Sequence, residues 1–264
     1  MSPLWRDRLI VGLTPARLKA VRLGKGLHPR PISQCDVRLN GAEPAAPWRS
    51  GLAAFRELVR DAQWQTAHVE FVLSSHFVRY AVIPGDPSAQ SEEERSVLGA
   101  IIFRKTFGAL SQDWHIALSD ARKGLPTLGA AIPSDLIKDL RTSVGKHSGI
   151  CSIRPDLTDA FNRIADDVKH GSAIFVLIDS GRVTIGRVAD GGWTSVVSRP
   201  APIDDALACA RVLAEDMELC PFPENAAIWI RDLTGMSVFP AEMSGQVRTV
   251  PPPWPGHLAA ALLP

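Results

Sequence analysis

In 264 residues the chain has a single tyrosine, four cysteines and no long apolar run, and each shortage excludes something. Cys35, Cys151, Cys209 and Cys220 are scattered, with no Cys-x-x-Cys pair, which argues against a disulfide frame or a zinc knuckle and for free thiols in a reducing compartment. His147 and Cys151 could share a helix end, but nothing nearby completes a ligand set, so no metal is expected. No Gly-x-Ser-x-Gly elbow occurs and no histidine stands beside a cysteine in sequence, which leaves hydrolase chemistry without a nucleophile. No apolar stretch approaches the ~18 residues of a membrane span, and Met1-Ser-Pro-Leu-Trp5 lacks the apolar core of a signal peptide. The expectation is a soluble, cytoplasmic protein. Lys and Arg number 29 against 28 Asp and Glu, so bulk attraction to nucleic acid is absent, and with one tyrosine and no known binding module no nucleic-acid partner is expected. The first thirty residues depart from this balance, with Arg6, Arg8, Arg17, Lys19, Arg22, Lys25 and Arg30 facing only Asp7. Such a basic edge can meet anionic headgroups or an acidic peptide, or be a solvated strand face.

The most ordered pattern lies in Ser172 to Val197. The apolar run Phe175-Val-Leu-Ile ends in Asp179-Ser180-Gly181, a second run alternates through Val183, Ile185 and Val188, and Asp190-Gly-Gly turns the chain into Trp193-Thr-Ser-Val-Val197. This is a three-stranded meander with tight turns. Its first turn can serve the hairpin alone, or it can offer backbone N–H groups to an anion, because Gly181 has no Cβ to hold one away. A helical stripe of Ala206, Leu207, Ala210 and Leu213 follows, and then the short strand Ala227 to Ile230. The order is β-β-β-α-β.

The start of the chain gives the same string. Arg8 to Leu13 and Leu18 to Leu23 read as strands about the turn Thr14-Pro-Ala16, Gln34 to Leu39 supplies a third, Leu52, Phe55, Leu58 and Val59 mark a helix with Ser50 as N-cap, and His68 to Leu73 is a strand. A repeated string of this kind predicts a duplicated α/β architecture with two lobes. Between the repeats, Phe77 to Ile83 alternates as an exposed strand. Ser91-Glu-Glu-Glu94 is a capping box opening a helix through Val97, Leu98, Ile101 and Ile102, and Trp114–Leu118 with Pro126–Ile132 form a hairpin. The segment reads as an inserted β-α-β-β subdomain. A helix from Ser134, a strand at Ile150–Ile153 and a helix at Leu157–Ile164 lead into the second repeat. Val250-Pro-Pro-Pro-Trp-Pro255 is stiff and extended before a short apolar helix at His257–Leu263.

The residues Val11-Gly-Leu13 followed by Leu18-Lys-Ala-Val-Arg-Leu23 resemble the first phosphate hairpin of the PilM group of actin-like proteins, whose pattern runs Val-Gly-Ile-Asp-Ile-Gly-Ser and then Lys-Ala-Val-Glu-Leu. Leu73-Ser-Ser-His-Phe-Val-Arg-Tyr-Ala-Val-Ile-Pro84 is similar to the strand pair that starts the inserted subdomain in PilM and in the cytoplasmic part of GspL, its type II secretion relative. Asp179-Ser-Gly181 falls where the second phosphate hairpin would. The resemblance implies an actin-like (ribonuclease H-like) two-lobed fold. Residues 1–74 and 133–170 would form the first lobe, 75–132 the inserted subdomain and 171–250 the second lobe, with 251–264 a C-terminal helix packed on the first lobe.

Several positions depart from the family pattern. Thr14-Pro-Ala16 stands where the family places an aspartate that would hold Mg²⁺, and Pro15 removes an N–H donor. Near the late strand the adenine glycine pair is reduced to Gly235. A remnant nucleotide cleft would comprise Thr14, Lys19, Asp179, Ser180 and Gly181, with no catalytic residue and no cofactor. The alternative is an actin-like protein in which Asp179 positions Mg²⁺, Lys19 meets a phosphate and ATP is bound or slowly hydrolysed, or a small-molecule kinase of the same superfamily. The resemblance implies instead a non-catalytic scaffold of the inner-membrane assembly platform of a type IV pilus or type II secretion system. It would be cytoplasmic and peripheral to the inner membrane, holding the tail of a bitopic PilN-like protein and touching the assembly ATPase. A tail would add to a strand edge near Phe77, Arg79 and Tyr80. Homodimerisation is left open.

Overall fold

The computed structural model describes residues 7–26, 29–40, 43–66, 68–85, 91–119, 124–144, 148–202, 205, 207–221, 223, 226–235 and 247–250. The helix expected at His257–Leu263 lies outside them, as does His147. In chain order the elements begin with β1 (Arg8–Leu13), β2 (Arg17–Leu23), β3 (Pro31–Arg38), α1 (Arg49–Leu58) and β4 (His68–Leu73). Then come β5 (Arg79–Ile83), α2 (Glu92–Phe107), β6 (Trp114–Leu118), β7 (Thr127–Pro133), α3 (Ser134–Ser143), β8 (Gly149–Pro155) and α4 (Asp156–Phe161). The chain continues through β9 (Ser172–Asp179), β10 (Arg182–Ala189), β11 (Gly192–Pro200), α5 (Ala208–Leu219), β12 (Ala227–Asp232) and β13 (Val247–Thr249). Two compact units divide it, Met1–Val78 with Ile132–Asp156 and Arg79–Ala131 with Leu157–Pro264.

In the first unit a five-stranded sheet has the order β3-β2-β1-β4-β8. β1, β2 and β3 are joined antiparallel, while β1, β4 and β8 run parallel. β1 alternates strictly, with Leu9, Val11 and Leu13 buried. Helix α1 covers this face with Leu52 and Phe55, and the Phe55 ring meets Phe71 of β4 edge-on, centroids 5.2 Å apart. Such an aromatic pair adds about 0.5–1.5 kcal/mol beyond its buried area. The helix starts one residue before Ser50, with Trp48 at the N-cap, so Ser50 does not cap it. Its hydroxyl is buried without a hydrogen-bond partner. Trp48 anchors the start instead, donating its indole N–H to Asp139 Oδ2 of α3 at 2.9 Å.

The second unit repeats the order as β11-β10-β9-β12-β13. Again three antiparallel strands are extended by two parallel ones. β9 is the middle strand and is buried on both faces from Ala173 to Asp179, as its uninterrupted apolar run requires. Ile174, Val176 and Ile178 pack with Ala208, Cys209 and Leu213 of α5. Phe175 points the other way, against Phe161 with centroids 5.8 Å apart, and Phe161 also meets Trp193 at 4.6 Å. The duplicated β-β-β-α-β string is therefore real, and each copy carries a fifth strand after it.

A separate three-stranded sheet, ordered β5-β7-β6, belongs chiefly to the second unit, with α2 on its face. Phe103 fills the junction with Ala81, Ile83 and Ala131. The capping box is formed as expected: Glu94 N–H donates to Ser91 Oγ and Ser91 N–H to Glu94 Oε2, both at 3.1 Å. Strand β5 begins at Arg79, later than expected, because Phe77 closes a turn by donating its N–H to Ser74 O at 2.9 Å. It is not the exposed strand its alternation suggested. Tyr80, Ala81 and Ile83 are buried, and β5 pairs with β7 through all five residues.

Candidate functional site

The β1–β2 turn hydrogen-bonds to itself. Thr14 N–H donates to Arg17 O at 2.9 Å, and the Thr14 hydroxyl oxygen accepts the N–H of Arg17 at 2.9 Å and of Ala16 at 3.3 Å. These amides would be the donors for an anion, and Pro15 supplies none. Leu39 N–H closes the turn from outside on Ala16 O at 2.8 Å. Lys19 sits across from Asp36 of β3 in register, Nζ 3.7 Å from Oδ2, while Arg17 approaches the same carboxylate at 3.6 Å. Beyond β4, the buried Asp156 takes the N–H of Ser75 at 3.2 Å and its hydroxyl at 2.8 Å. This buried carboxylate was not singled out from sequence.

In the second unit β9 ends on Asp179, whose side chain is buried and accepts the N–H of Ser180 at 2.7 Å. Gly181 has φ +79°, a conformation an L side chain resists, so glycine is required to turn the hairpin here. Arg182, the next residue, is half-buried. It donates to Ser198 Oγ at 3.1 Å, and that hydroxyl lies 3.0 Å from Thr184 Oγ1. Its Nε is buried without a partner. Burial pulls the Arg182 pKa below its ordinary value, the charge of Arg79 adds to this, and Asp179 and Tyr80 oppose it. Arg79, Tyr80 and Asp179 thus all act electrostatically on one guanidinium, although sequence reasoning had assigned them to two different sites. The missing member, Arg182, was adjacent to the Asp-Ser-Gly turn and could have been found by extending that motif one residue.

The parallel neighbour of β9 ends in a similarly closed turn. Asp232, paired with Ile178 across the β9–β12 ladder, accepts the N–H and hydroxyl of Thr234, both at 2.7 Å, and the N–H of Gly235 at 3.1 Å. These are the amides where the family pattern expects the adenine glycines. Arg231 beside it is held below its ordinary pKa by burial first and by Arg163 second.

Of the residues expected to meet a partner, Arg79 is exposed, whereas Phe77 is 4% and Tyr80 8% accessible. Phe77 lies edge-on to Trp48, centroids 6.4 Å apart. Sequence reasoning also missed a thiol–imidazole contact: Cys151 Sγ lies 2.8 Å from His68 Nδ1, brought there by the parallel pairing of β4 with β8. Among the described residues no group of three or more His, Cys, Asp or Glu is placed to hold a metal ion. Among them too, no helix is long and apolar enough to cross a membrane.

No known protein family matches the sequence. Among curated proteins, 59 residues are 39% identical to a tyrosinase cofactor of Streptomyces glaucescens, covering 21% of this chain and 44% of that protein. A similar stretch of 53 residues is 40% identical to a tyrosinase cofactor of Streptomyces antibioticus, 19% of this chain and 36% of the other. The chain thus spans less than half the length of these relatives. Likeness to solved structures is far more extensive. A Bacteroides thetaiotaomicron protein with an actin-like ATPase fold and unknown function superposes with TM-score 0.61 at 10% identity over 99% of this chain and 98% of that one. The PilM–PilN type IV pilus biogenesis complex gives 0.60 at 12% identity over 85% and 81%. The cytoplasmic domain of EpsL, an inner-membrane component of the type II secretion system of Vibrio cholerae, gives 0.58 at 12% identity over 97% and 94%. With two five-stranded sheets of one topology and these three likenesses, the chain has the actin-like ATPase fold.

Proposed function

We propose that this protein is a non-catalytic scaffold of the inner-membrane assembly platform of a type IV pilus or type II secretion system. It would sit on the cytoplasmic face and capture the cytoplasmic tail of a bitopic PilN-like membrane protein, with the assembly ATPase a further partner. The observation that carries this reading is the likeness, along most of the chain, to two proteins named for such assemblies, one of them in complex with PilN. The turns support it, because Thr14 and Asp232 already occupy the amides that a nucleotide would need. An extended tail would gain main-chain hydrogen bonds and side-chain pockets near β5, with exposed Arg79 meeting its acidic groups and the buried Phe77 and Tyr80 fixing the surface beneath.

A labelled synthetic cytoplasmic tail of a PilN-like bitopic protein tests the reading by fluorescence anisotropy. Saturable binding weakened by Arg79→Glu is expected. Binding unaffected by that change would move the surface elsewhere, and no binding at hundreds of micromolar would overturn the proposal. A second reading, retained ATP binding, is favoured by the Asp179-Ser-Gly181 turn, which keeps the left-handed glycine of a phosphate hairpin.

A further inference from the structure

Helix α2 turns an apolar strip outward. Val97 is 60% and Ile101 57% accessible, one turn apart, with Ala100 exposed between them. The opposite face, Phe103 with Leu98, Ile102 and Phe107, is the one that packs on its own sheet. The exposed face has a definite order along the helix. Glu93 stands at the start, Val97, Ala100 and Ile101 in the middle, and Arg104 and Lys105 at the end. Positions 93, 97, 100, 101 and 104 recur three and four apart, so they share one stripe.

That stripe is self-complementary under a two-fold axis. Position 99 lies midway between 97 and 101, and within half a residue of midway between 93 and 104 and between 94 and 105. If a second α2 is laid antiparallel about this level, Val97 meets Ile101 of the other copy. Glu93 faces Arg104, Glu94 faces Lys105, and each contact occurs twice. Ala100 near the axis is small enough to let the helices approach to the ~8–10 Å of packed pairs. Glu94 keeps its capping-box bond to Ser91, so its contribution is its charge. Among the described residues Glu93 and Arg104 have no ion pair within the chain, although both are exposed on a helix of 16 residues. A parallel arrangement would set the three N-terminal glutamates against each other.

We infer that α2 is a homodimerisation surface, and that its occupant is the same helix of a second copy in antiparallel register. This does not depend on the identity of any membrane partner. A helix of this length is about 24 Å long, and one face of it buries less than the ~800 Å² per partner of a standard interface. The dimer is therefore weak and concentration-dependent, with Kd on the order of 10–100 µM, and strengthens at low salt.

Sedimentation equilibrium of the full chain tests it. The wild type is expected to move from monomer towards dimer over that range, and Ile101→Glu to remain monomeric with an unchanged circular dichroism spectrum. Glu93→Lys alone, or Arg104→Glu alone, places like charges opposite each other twice and weakens association about tenfold. The double variant Glu93→Lys/Arg104→Glu restores attraction and recovers the wild-type constant. A wild type that stays monomeric at several hundred micromolar, a dimer indifferent to Ile101→Glu, or a double variant no better than the singles would each overturn the inference.

Discussion

The hydroxyl oxygen of Thr14 accepts the backbone N–H of Arg17 at 2.9 Å, so the first turn of the fold satisfies itself with its own side chain. Thr14→Ala leaves the N–H groups of Ala16 and Arg17 to water. The expected loss is about 0.5–1 kcal/mol in urea unfolding, without any gain of nucleotide affinity, since Pro15 still removes a donor. An unchanged midpoint would show that the hydroxyl does not hold the turn.

Helix α1 lies on β1 closely enough that a methyl group at Gly51 would run into the Leu13 side chain, with Leu39 also in contact range. Helix propensity alone predicts that Gly51→Ala stabilises by ~1 kcal/mol. The packing predicts the opposite sign, a loss of about 1–3 kcal/mol as Leu13 is displaced from the core. Thermal or urea unfolding distinguishes the two by sign alone.

Arg187 and Asp216, 3% and 1% accessible, form an ion pair between β10 and α5. Arg187 also donates to Asp216 O at 2.9 Å. Asp216→Ala strands the guanidinium and is expected to cost about 3–5 kcal/mol, whereas Arg187→Met/Asp216→Leu, which removes both charges, recovers most of it. A double variant as unstable as the single would contradict this account of the pair.

Partial burial, and after it the carboxylate of Glu70, raise the Cys151 thiol pKa above its ordinary value, while Arg8 works in the opposite direction. The thiolate is the reactive form, so a raised pKa lowers its fraction at neutral pH. Alkylation of Cys151 by iodoacetamide, followed by peptide mass spectrometry, should be slower than that of an unperturbed thiol at neutral pH and gain rate only at alkaline pH. Rapid neutral modification would show that the contact with His68 Nδ1 at 2.8 Å favours thiolate instead. Cys209 in the core is expected to react last.

Local periodicity carried most of the architecture. The alternation of Leu9, Val11 and Leu13, the apolar run of β9 and the Ser91–Glu94 box are all local patterns, and each formed as its residues dictate. Strand β13, three residues of Val-Arg-Thr, has too little pattern to be read. The Trp48 cap depends on Asp139, far away in sequence, so Ser50 looked like the better cap only in isolation. The site was legible as separate turns. The influence of Arg79 and Tyr80 on Arg182 was not, because β5 packs against β11 through tertiary contacts that the chain between them does not encode locally. The Cys151–His68 contact likewise follows from the parallel register of β4 and β8, which shifts by one residue between Val69 and Glu70.

The central proposal is that Thr14 and Asp232, by engaging the amides of Ala16, Arg17, Thr234 and Gly235, deny those turns to a triphosphate. Calorimetric titration of the full chain with Mg²⁺ and ATP to millimolar concentration tests it most directly. No saturable heat is expected, from the wild type or from Asp179→Ala. A saturable isotherm that Asp179→Ala abolishes would contradict it and return the protein to the nucleotide-binding members of its fold.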